Sequence, residues 1–185
     1  MKIKPGQLIE EFKAKDGKKI IFRTPKNSDL LQLLNFINAL VKEDTFILTA
    51  KRKTIKEEKE YLKNILSLMK KGKGVWLVGL YKNKIVAHGS VEIGNGERSP
   101  HVGEIRLAVL KSYRNLGIGK RLLSLLINFG EKLGFKYLLL GVMANNKVAI
   151  KLYKKFGFKQ VARIPKIFIY KGKYVDDIWM MKKLS

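Results

Sequence analysis

The chain has 185 residues, a length that favours one domain with an ordinary hydrophobic core. It contains no cysteine, which excludes disulfides, thiolate nucleophiles and cysteine zinc sites, and its two histidines, His88 and His101, show no metal-ligand spacing. Lysine and arginine number 39 against 15 acidic residues, and the formal net charge of +24 attracts polyanions, although the dispersed lysines favour compositional drift and solubility as the explanation.

The N-terminal third is predicted to form a strand and a pair of helices. Its first residues lack the apolar core of a secretory signal, and no stretch approaches the roughly 20 apolar residues that cross a bilayer. We therefore expect a soluble cytoplasmic protein that does not enter membranes, either a monomer or a homodimer. Apolar residues in 18–25 indicate a strand. A helix follows, with Asn27 or Ser28 as its N-cap, and a second helix begins with the capping-box pattern Thr54 to Glu57 and ends near Gly72.

The remaining elements alternate between strands and helices. Two β-rich runs around the polar turn 82–84 predict a hairpin over 75–93, and glycines with charges predict a loop at 94–100. We then expect a strand at 102–110, a helix at 118–133, a strand at 136–143, a helix at 146–156 and two closing strands over 158–184. The pattern predicts one α/β domain around a mixed sheet of about seven strands, flanked by about four helices.

Two glycines stand where the helix at 118–133 is about to begin. The first N–H groups of a helix have no intrahelical partner, and glycine at 117 and 119 lets an anion approach them closely. Arg114 and Lys120 would add side-chain charge. The stretch is neither a Walker A loop nor a dinucleotide fingerprint, which leaves a pyrophosphate-bearing ligand of another kind.

Two motifs in this region resemble the GCN5-related N-acetyltransferase (GNAT) family. The acetyl-coenzyme A (acetyl-CoA) motif Q/R-x-x-G-x-G/A is matched by RNLGIG at 114–119, and the signature N-x-x-A-x-x-L-Y-x-x-x-G-F is matched over 146–158. The resemblance covers roughly residues 102–158. It implies a single GNAT-like domain over 1–185, with a variable strand and helix pair at 1–74 and the acetyl-CoA core and C-terminal hairpin at 75–185. It also implies a mostly antiparallel sheet that is splayed between its fourth and fifth strands.

The resemblance implies acetyl-CoA as the cosubstrate and assigns residues to it. The main chain of 107–109 would pair with the pantetheine arm, Asn146 would hydrogen-bond the same arm, and the amides of 115–119 would hold the pyrophosphate. No metal is implied. The cofactor-binding set is Leu107, Ala108, Val109, Arg114, Asn115, Leu116, Gly117, Ile118, Gly119, Lys120, Asn146 and Tyr153.

Tyr153 and Glu104 are the catalytic residues that the resemblance implies. Tyr153 would protonate or hydrogen-bond the leaving thiolate, although an aromatic on the core face of a helix is the structural alternative. An alkyl amine with a pKa of about 10.4 is almost wholly protonated at pH 7, so a base or a water relay is useful. Glu104 stands where many members carry a catalytic carboxylate, although a solvated glutamate at a strand end is the alternative. Members that acetylate protein N-termini often have a glutamate at the position of Gly141, which this chain lacks.

Further residues are candidates for the acceptor side. His101 is another possible base, but it precedes Glu104 by three residues, and strand alternation puts the two on opposite faces. His88 fits packing within a strand. Asp176 and Asp177 also alternate in facing, so one of them can point into the acceptor pocket and attract a cationic amine, unless both are solvated at a strand edge. Candidate pocket walls, by family analogy alone, are Phe46, Tyr170 and Tyr174.

The sequence thus predicts an acetyl-CoA-dependent N-acetyltransferase in which a bound primary amine attacks the thioester directly in a ternary complex. Without cysteine, no acyl-enzyme is expected. The alternative is a basic module that binds nucleic acid or nucleoprotein and has vestigial acetyl-CoA binding; nucleic-acid binding would then be non-specific and salt-sensitive. Small amines, amino acids, antibiotics, polyamines and protein amines are all compatible acceptors.

Overall fold

Eight strands and four α-helices form in a computed structural model that describes residues 3–94, 96 and 98–184. The strands are β1 (Leu8–Lys13), β2 (Lys19–Arg23), β3 (Gly74–Tyr81), β4 (Lys84–Ile93), β5 (Val102–Val109), β6 (Tyr137–Met143), β7 (Lys159–Tyr170) and β8 (Lys173–Lys183). The helices are α1 (Leu30–Glu43), α2 (Ile55–Lys70), α3 (Ile118–Lys132) and α4 (Lys147–Lys155).

The predicted mixed α/β domain is confirmed, with one strand more than expected. The strands lie in the order β1-β2-β3-β4-β5-β6-β8-β7, and every pair is antiparallel except β5–β6. The missed strand is β1, whose sequence LIEEFK is half charged and which pairs only with β2 at the sheet edge. An edge strand with one neighbour is held by backbone pairing and carries little of the apolar pattern that marks a core strand.

Of three other local predictions, one is corrected, one is confirmed and one falls partly on residues that the structure does not describe. The first helix does not begin at Asn27 or Ser28, because a 3₁₀ turn occupies Asn27–Asp29 and Asp29 is the N-cap of α1. The capping box from Thr54 to Glu57 is confirmed at the start of α2. Within the predicted loop at 94–100, residues 95 and 97 lie outside the described residues, and the others form neither helix nor strand.

The sheet opens between β5 and β6. These strands pair at Val102–Tyr137, Gly103–Leu138 and Glu104–Leu139, and no further pair forms between them in the described chain although both strands continue. Residues 105–109 remain paired with β4, while residues 140–143 remain paired with β8. The predicted splay is therefore confirmed, and it falls between the fifth and sixth strands because β1 adds one to the count.

Helices cover both faces of the sheet but leave the gap accessible. Helix α3 buries Leu122, Leu123 and Leu126 against one face. On the other face, α1 and α2 pack over β3 and β4, where Leu40 and Trp76 are buried. Burial of each such side chain contributes about 1.5–3 kcal/mol. The face that α1 and α2 partly cover, called the α1–α2 face below, stays open over β6 and β8. No helix of the described chain is both long enough and apolar enough to span a bilayer.

Candidate active site

A cavity of about 1350 Å³ occupies the gap between β5 and β6. Strand β5 from Glu104 onward, β6 from Leu139 onward, the segment before α3 and the inner side of α4 contribute its walls. The cavity brings together the predicted site residues, with the exception of two side chains. Leu116 and Ile118 pack into the core instead, so only their backbone groups remain available to a ligand.

The two glycines sit where the anion cradle was predicted. Gly117 is the N-cap of α3 with a φ of +86°, a left-handed conformation in which a side chain would be strained. Gly119 lies in the first turn, and a Cβ there would meet only Val109 Cγ2 at 3.5 Å. The N–H groups of Ile118, Gly119 and Lys120 have no carbonyl partner within the helix. Together with the positive end of the helix dipole, they form a site that fits a pyrophosphate.

The Arg114 side chain is bound by two other groups of the protein, and the sequence does not show these contacts. Its Nε donates to the Val109 carbonyl over 2.9 Å, and its Nη2 lies 2.9 Å from Glu43 Oε2 at the end of α1. A guanidinium held by a carboxylate contributes less to the potential at the cradle than a free one. The ion pair instead ties α1 to the segment that carries the two glycines.

Three lysines outside the predicted binding set bring charge to the cavity. Lys15, Lys151 and Lys155 line it together with Lys120. Lys151 and Lys155 are one turn apart on α4, a spacing that puts them on one side of the helix and could have been recognised. Lys15 lies in the β1–β2 connection, where its amide donates to the Leu116 carbonyl over 3.1 Å, and only the fold brings it here.

Strand β5 presents unpaired backbone groups to the gap. Leu110 N–H donates to the Val86 carbonyl over 3.0 Å, and successive residues of a strand direct their backbone groups to opposite sides. The N–H and C=O of Leu107 and the N–H of Val109 therefore point into the gap. The backbone of Ala108 points towards β4, so this residue reaches the cavity through its side chain.

Helix α4 places Asn146 and Tyr153 at the cavity. Asn146 is the N-cap, and its Oδ1 accepts from the Ala149 N–H over 3.2 Å, which leaves the amide nitrogen free to donate to a ligand. Tyr153 is 8% exposed and packs against Phe158, with ring centroids 6.0 Å apart. Burial raises the pKa of Tyr153 to about 12, so the phenol keeps its proton throughout the ordinary pH range.

Glu104 faces the cavity on the α1–α2 face and is held by an arginine. Arg106 bridges two carboxylates, with 2.8 Å to Glu104 Oε2 and 2.9 Å to Glu92 Oε1, and Ser90 Oγ donates to Glu92 over 3.2 Å. Burial raises the pKa of Glu92, and Arg106 offsets part of that effect. Glu104 is therefore part of a polar group in the cavity wall and not a solvated residue at a strand end.

The two histidines have different environments. His88 lies within β4, as predicted, between the rings of Phe36 and Tyr61, with centroids 6.3 and 6.2 Å away. It also lines the cavity, and its Nε2 is buried without a hydrogen-bond partner among the described residues. His101 is exposed, packs edge-on against Tyr137 and is absent from the described lining, so the structure does not bring this candidate base to the cavity.

Removal of the His88 imidazole is expected to weaken the dependence of stability on pH. Burial lowers the pKa of His88 from 6.5 to about 4, so between these values the unfolded chain binds a proton that the folded protein does not. The free energy of unfolding therefore falls with acidification, and from pH 7 to pH 5 this group accounts for about 2 kcal/mol of the loss. In denaturant titrations at several pH values, His88→Leu should lose this component.

His101→Gln is the matched control, because it removes the exposed histidine and should retain the wild-type pH profile. An unchanged pH dependence in His88→Leu would show that His88 is not held neutral by the fold.

The adjacent aspartates of β8, Asp176 and Asp177, lie on opposite faces of the strand, as strand alternation requires. Asp176 accepts from Arg163 Nε over 2.6 Å and from the Lys166 N–H over 2.8 Å. Asp177 instead lines the cavity, next to Trp179 on the same strand. Of the two candidates, Asp177 is therefore the one that faces a ligand in the gap.

The three aromatic residues predicted as pocket walls differ in their position relative to the cavity. Phe46, in the loop after α1, lines the cavity and stacks on Tyr170, with centroids 4.9 Å apart. Tyr170 itself is not part of the described lining, so it supports the wall through Phe46 and does not form it. The Tyr170 hydroxyl donates to the Asp44 carbonyl over 3.0 Å, so this loop contacts the β7–β8 hairpin. Tyr174 is 70% exposed and is not part of the wall in the described structure. Its predicted role as a pocket wall is wrong, because Tyr174 pairs with Ile169 and so lies on the opposite face of the hairpin from Tyr170.

Comparison with known proteins gives matches along much of the chain. The model of the acetyltransferase (GNAT) family matches residues 37–158, which is more than half of the chain. The probable N-acetyltransferase san of Drosophila melanogaster is 39% identical over 82 residues, 44% of this chain and 45% of that protein. The L-amino acid N-acetyltransferase AaaT of Escherichia coli strain K12 is 28% identical over 107 residues, 57% and 66% of the two chains. The aligned part thus spans less than two thirds of either relative.

Solved structures agree over nearly the whole fold. An acetyltransferase of the GNAT family from Streptococcus pneumoniae superimposes with a TM-score of 0.79 at 25% identity, covering 90% of this chain and 99% of that chain. A GNAT superfamily phosphinothricin acetyltransferase from Sinorhizobium meliloti, in complex with acetyl-CoA, gives a TM-score of 0.80 at 17% identity, covering 94% and 90%. The second likeness is one of fold alone.

Proposed function

Because the chain belongs to the GNAT family of acetyltransferases, we propose that it is an acetyl-CoA-dependent N-acetyltransferase. In this proposal the acetyl group passes to a primary amine by direct attack in a ternary complex. The observation that supports it is the gap between β5 and β6, which has an anion cradle at the start of α3 and a buried, protonated phenol, Tyr153, in its wall. Acetyl-CoA would supply the activated acyl group as a thioester.

Different residues of this chain would hold different parts of the coenzyme. The backbone N–H groups of 115–119 would hold the pyrophosphate, with the ammonium groups of Lys120, Lys151 and Lys155 adding charge nearby. The free edge of β5 at Leu107 and Val109 would pair with the pantetheine amides as a further strand does. The Asn146 side chain would donate to the same arm. Arg114 would act mainly by fixing this segment to α1.

Proton transfer is assigned to two residues that line the cavity. Conversion of an alkylammonium ion to the nucleophilic amine at pH 7 costs about 4–5 kcal/mol at 1.36 kcal/mol for each pKa unit. We propose that Glu104 accepts this proton, directly or through a water molecule, while Arg106 fixes its carboxylate. The amine nitrogen would then form its bond to the thioester carbon as the carbon–sulfur bond breaks, and the surplus proton of the nitrogen would pass to the departing thiolate to give the free thiol. The Tyr153 hydroxyl would donate to the sulfur as negative charge develops there.

Nucleic-acid binding remains a separate alternative that rests on the net charge of +24. Several of the lysines contribute to the cavity wall, which gives part of this charge a function at the coenzyme phosphates. Attraction that comes from dispersed lysines depends on counterion release and disappears at moderate salt. We therefore propose the acetyltransferase activity as the function and expect only non-specific association with nucleic acid.

The proposal is tested by two measurements on the purified protein. Titration calorimetry with acetyl-CoA should show one saturable site, and a thiol-release assay over a panel of amines should show turnover that requires an amine. The panel should contain monoamines, polyamines, amino acids, aminoglycosides and peptides with free N-termini. Absence of turnover across the panel together with absence of acetyl-CoA binding would contradict the proposed function.

A further inference from the structure

Asp177 is a buried carboxylate in the cavity wall on the α1–α2 face. Residues two apart on a strand share a face, so Asp177 lies on the side of Trp179, opposite Ile178, which is in the core. A Cβ built on Gly141 of the neighbouring strand would lie 3.3 Å from both Asp177 carboxylate oxygens. The carboxylate therefore occupies the place of the side chain that Gly141 lacks, two residues beyond the last β5–β6 pair at Leu139.

No cation in the described chain forms an ion pair with Asp177, which is 7% exposed. Its neighbour Asp176 has Arg163, whose Nη2 lies 2.5 Å from the carboxylate. Burial raises the pKa of Asp177, which means that its negative charge is poorly solvated. A buried carboxylate without a cationic partner is unfavourable for folding alone. Carboxylates whose pKa is shifted by burial are found disproportionately at functional sites.

A second buried polar group, the Trp179 indole nitrogen, lies beside Asp177. It makes no hydrogen bond of ordinary geometry within the described residues, but together with the backbone N–H groups of Val142 and Ile178 it offsets part of the rise in the Asp177 pKa. These donors are neutral, so none of them compensates the negative charge. The cavity lining on the strands next to Asp177 includes the apolar side chains of Leu139 and Met143 on β6 and of Phe168 on β7. A ligand that suits this wall combines one compact positive charge with an apolar body.

We propose that Asp177 binds the ammonium group of the acceptor, and that the acceptor is a primary amine with a single positive charge next to an apolar substituent. This proposal rests on the N-acetyltransferase function proposed above. The ammonium N–H groups donate to the Asp177 carboxylate in charge-assisted hydrogen bonds, which are stronger than neutral ones. Without such a group, a protein with a net charge of +24 repels a cationic substrate. Asp177 thus positions the amine, and Glu104 takes its proton.

The direct test uses phenethylamine as the probe, because it joins one ammonium group to an apolar body. Its binding to the protein saturated with coenzyme A is measured by titration calorimetry at pH 7 for the wild type, Asp177→Asn and Asp176→Asn. We expect the Asp177→Asn protein to bind at least about tenfold more weakly, since a hydrogen bond to a charged group is lost. The Asp176→Asn protein should bind within about twofold of the wild type, because that carboxylate is engaged by Arg163.

Two further readouts separate this role from a structural one. In the thiol-release assay, Asp177→Asn should raise the KM for the amine about tenfold with little change in kcat, whereas Glu104→Gln should lower kcat. The Tm of Asp177→Asn should equal or exceed that of the wild type, because an unpaired buried charge is removed.

Three results would overturn the proposal: no binding of phenethylamine by the wild type, equal binding by Asp177→Asn, or a lower Tm accompanying the loss of binding. Failure of the wild type to bind acetyl-CoA would instead contradict the proposed function itself.

Discussion

Replacement of Tyr153 by phenylalanine is expected to lower kcat by at least tenfold, and by up to about 100-fold, without changing the Kd for acetyl-CoA. The substitution removes one hydroxyl and leaves the ring packed against Phe158. A thiol has a pKa of about 8.5, so full proton transfer from a phenol to a thiolate is uphill, and the hydroxyl acts best as a hydrogen-bond donor to developing charge. An interaction that forms only as the carbon–sulfur bond breaks affects kcat and not ground-state binding.

The control for this experiment is Tyr137→Phe, which removes a hydroxyl from β6 at a position outside the described cavity wall. Its kcat should match that of the wild type. An unchanged kcat in Tyr153→Phe would remove Tyr153 from the mechanism. The pH profile gives a further check: since burial raises the pKa of Tyr153 to about 12, its ionisation should not produce a basic limb in kcat below about pH 10.

Arg23→Ala is expected to destabilise the fold by about 3–5 kcal/mol, the largest stability effect that we predict. Arg23 and Asp29 form a bidentate pair with two distances of 2.7 Å, and the Asp29 side chain is only 2% exposed. The same carboxylate accepts from the Lys26 N–H over 2.9 Å at the entry to α1. Without Arg23, an unpaired charge is left buried. For a domain of this size, thermal denaturation should show a fall in Tm of roughly 6–20 °C.

The matched control is Lys19→Ala, which breaks an ion pair with Glu11 at the surface. Those side chains are 65% and 50% exposed, so the loss should be below about 1 kcal/mol. A similar loss in the free energy of unfolding of the two variants would show that burial does not determine how much the Arg23–Asp29 pair contributes to stability. Because Asp29 occupies the N-cap position of α1 and anchors the turn before it, we also expect Arg23→Ala to loosen Phe36 and Leu40, which line the cavity from that helix.

The parts of the site that could be predicted lie close together in sequence. The anion cradle in the segment from Arg114 to Lys120 could be predicted because it depends on local sequence alone. Two glycines before an amphipathic helix leave the first N–H groups of that helix free, whatever the rest of the fold. The roles of Asn146 and Tyr153 are implied by the resemblance and stay predictions. That both residues line the cavity agrees with their place on one helix, where an N-cap and a residue two turns later share a side. The splayed sheet came from resemblance, because periodicity alone does not say where two buried strands stop pairing.

The parts that could not be predicted depend on register between distant strands. Alternation shows that Asp176 and Asp177 face opposite ways, but the pairing of β8 with β6 decides which of them meets the cavity. The contact between Arg114 and Glu43 likewise could not be predicted, because it depends on the end of α1 lying beside the segment with the two glycines. Strand β1 escaped detection because its charged residues serve tertiary contacts, such as the pairing of Glu10 with Arg121 over 2.6 Å, instead of marking a loop.

The break between β5 and β6 creates two strand edges in the middle of a sheet. A free edge at the border of a sheet is a template to which another chain can add, and proteins usually protect it with charges or bends. Here the edges face each other across a cleft bounded by α4, and the Phe46–Tyr170 contact joins the loop and hairpin beside it. We expect a slender ligand to reach these edges more readily than a strand, which carries side chains on both faces. Unpaired backbone can therefore remain available for binding here without inviting aggregation.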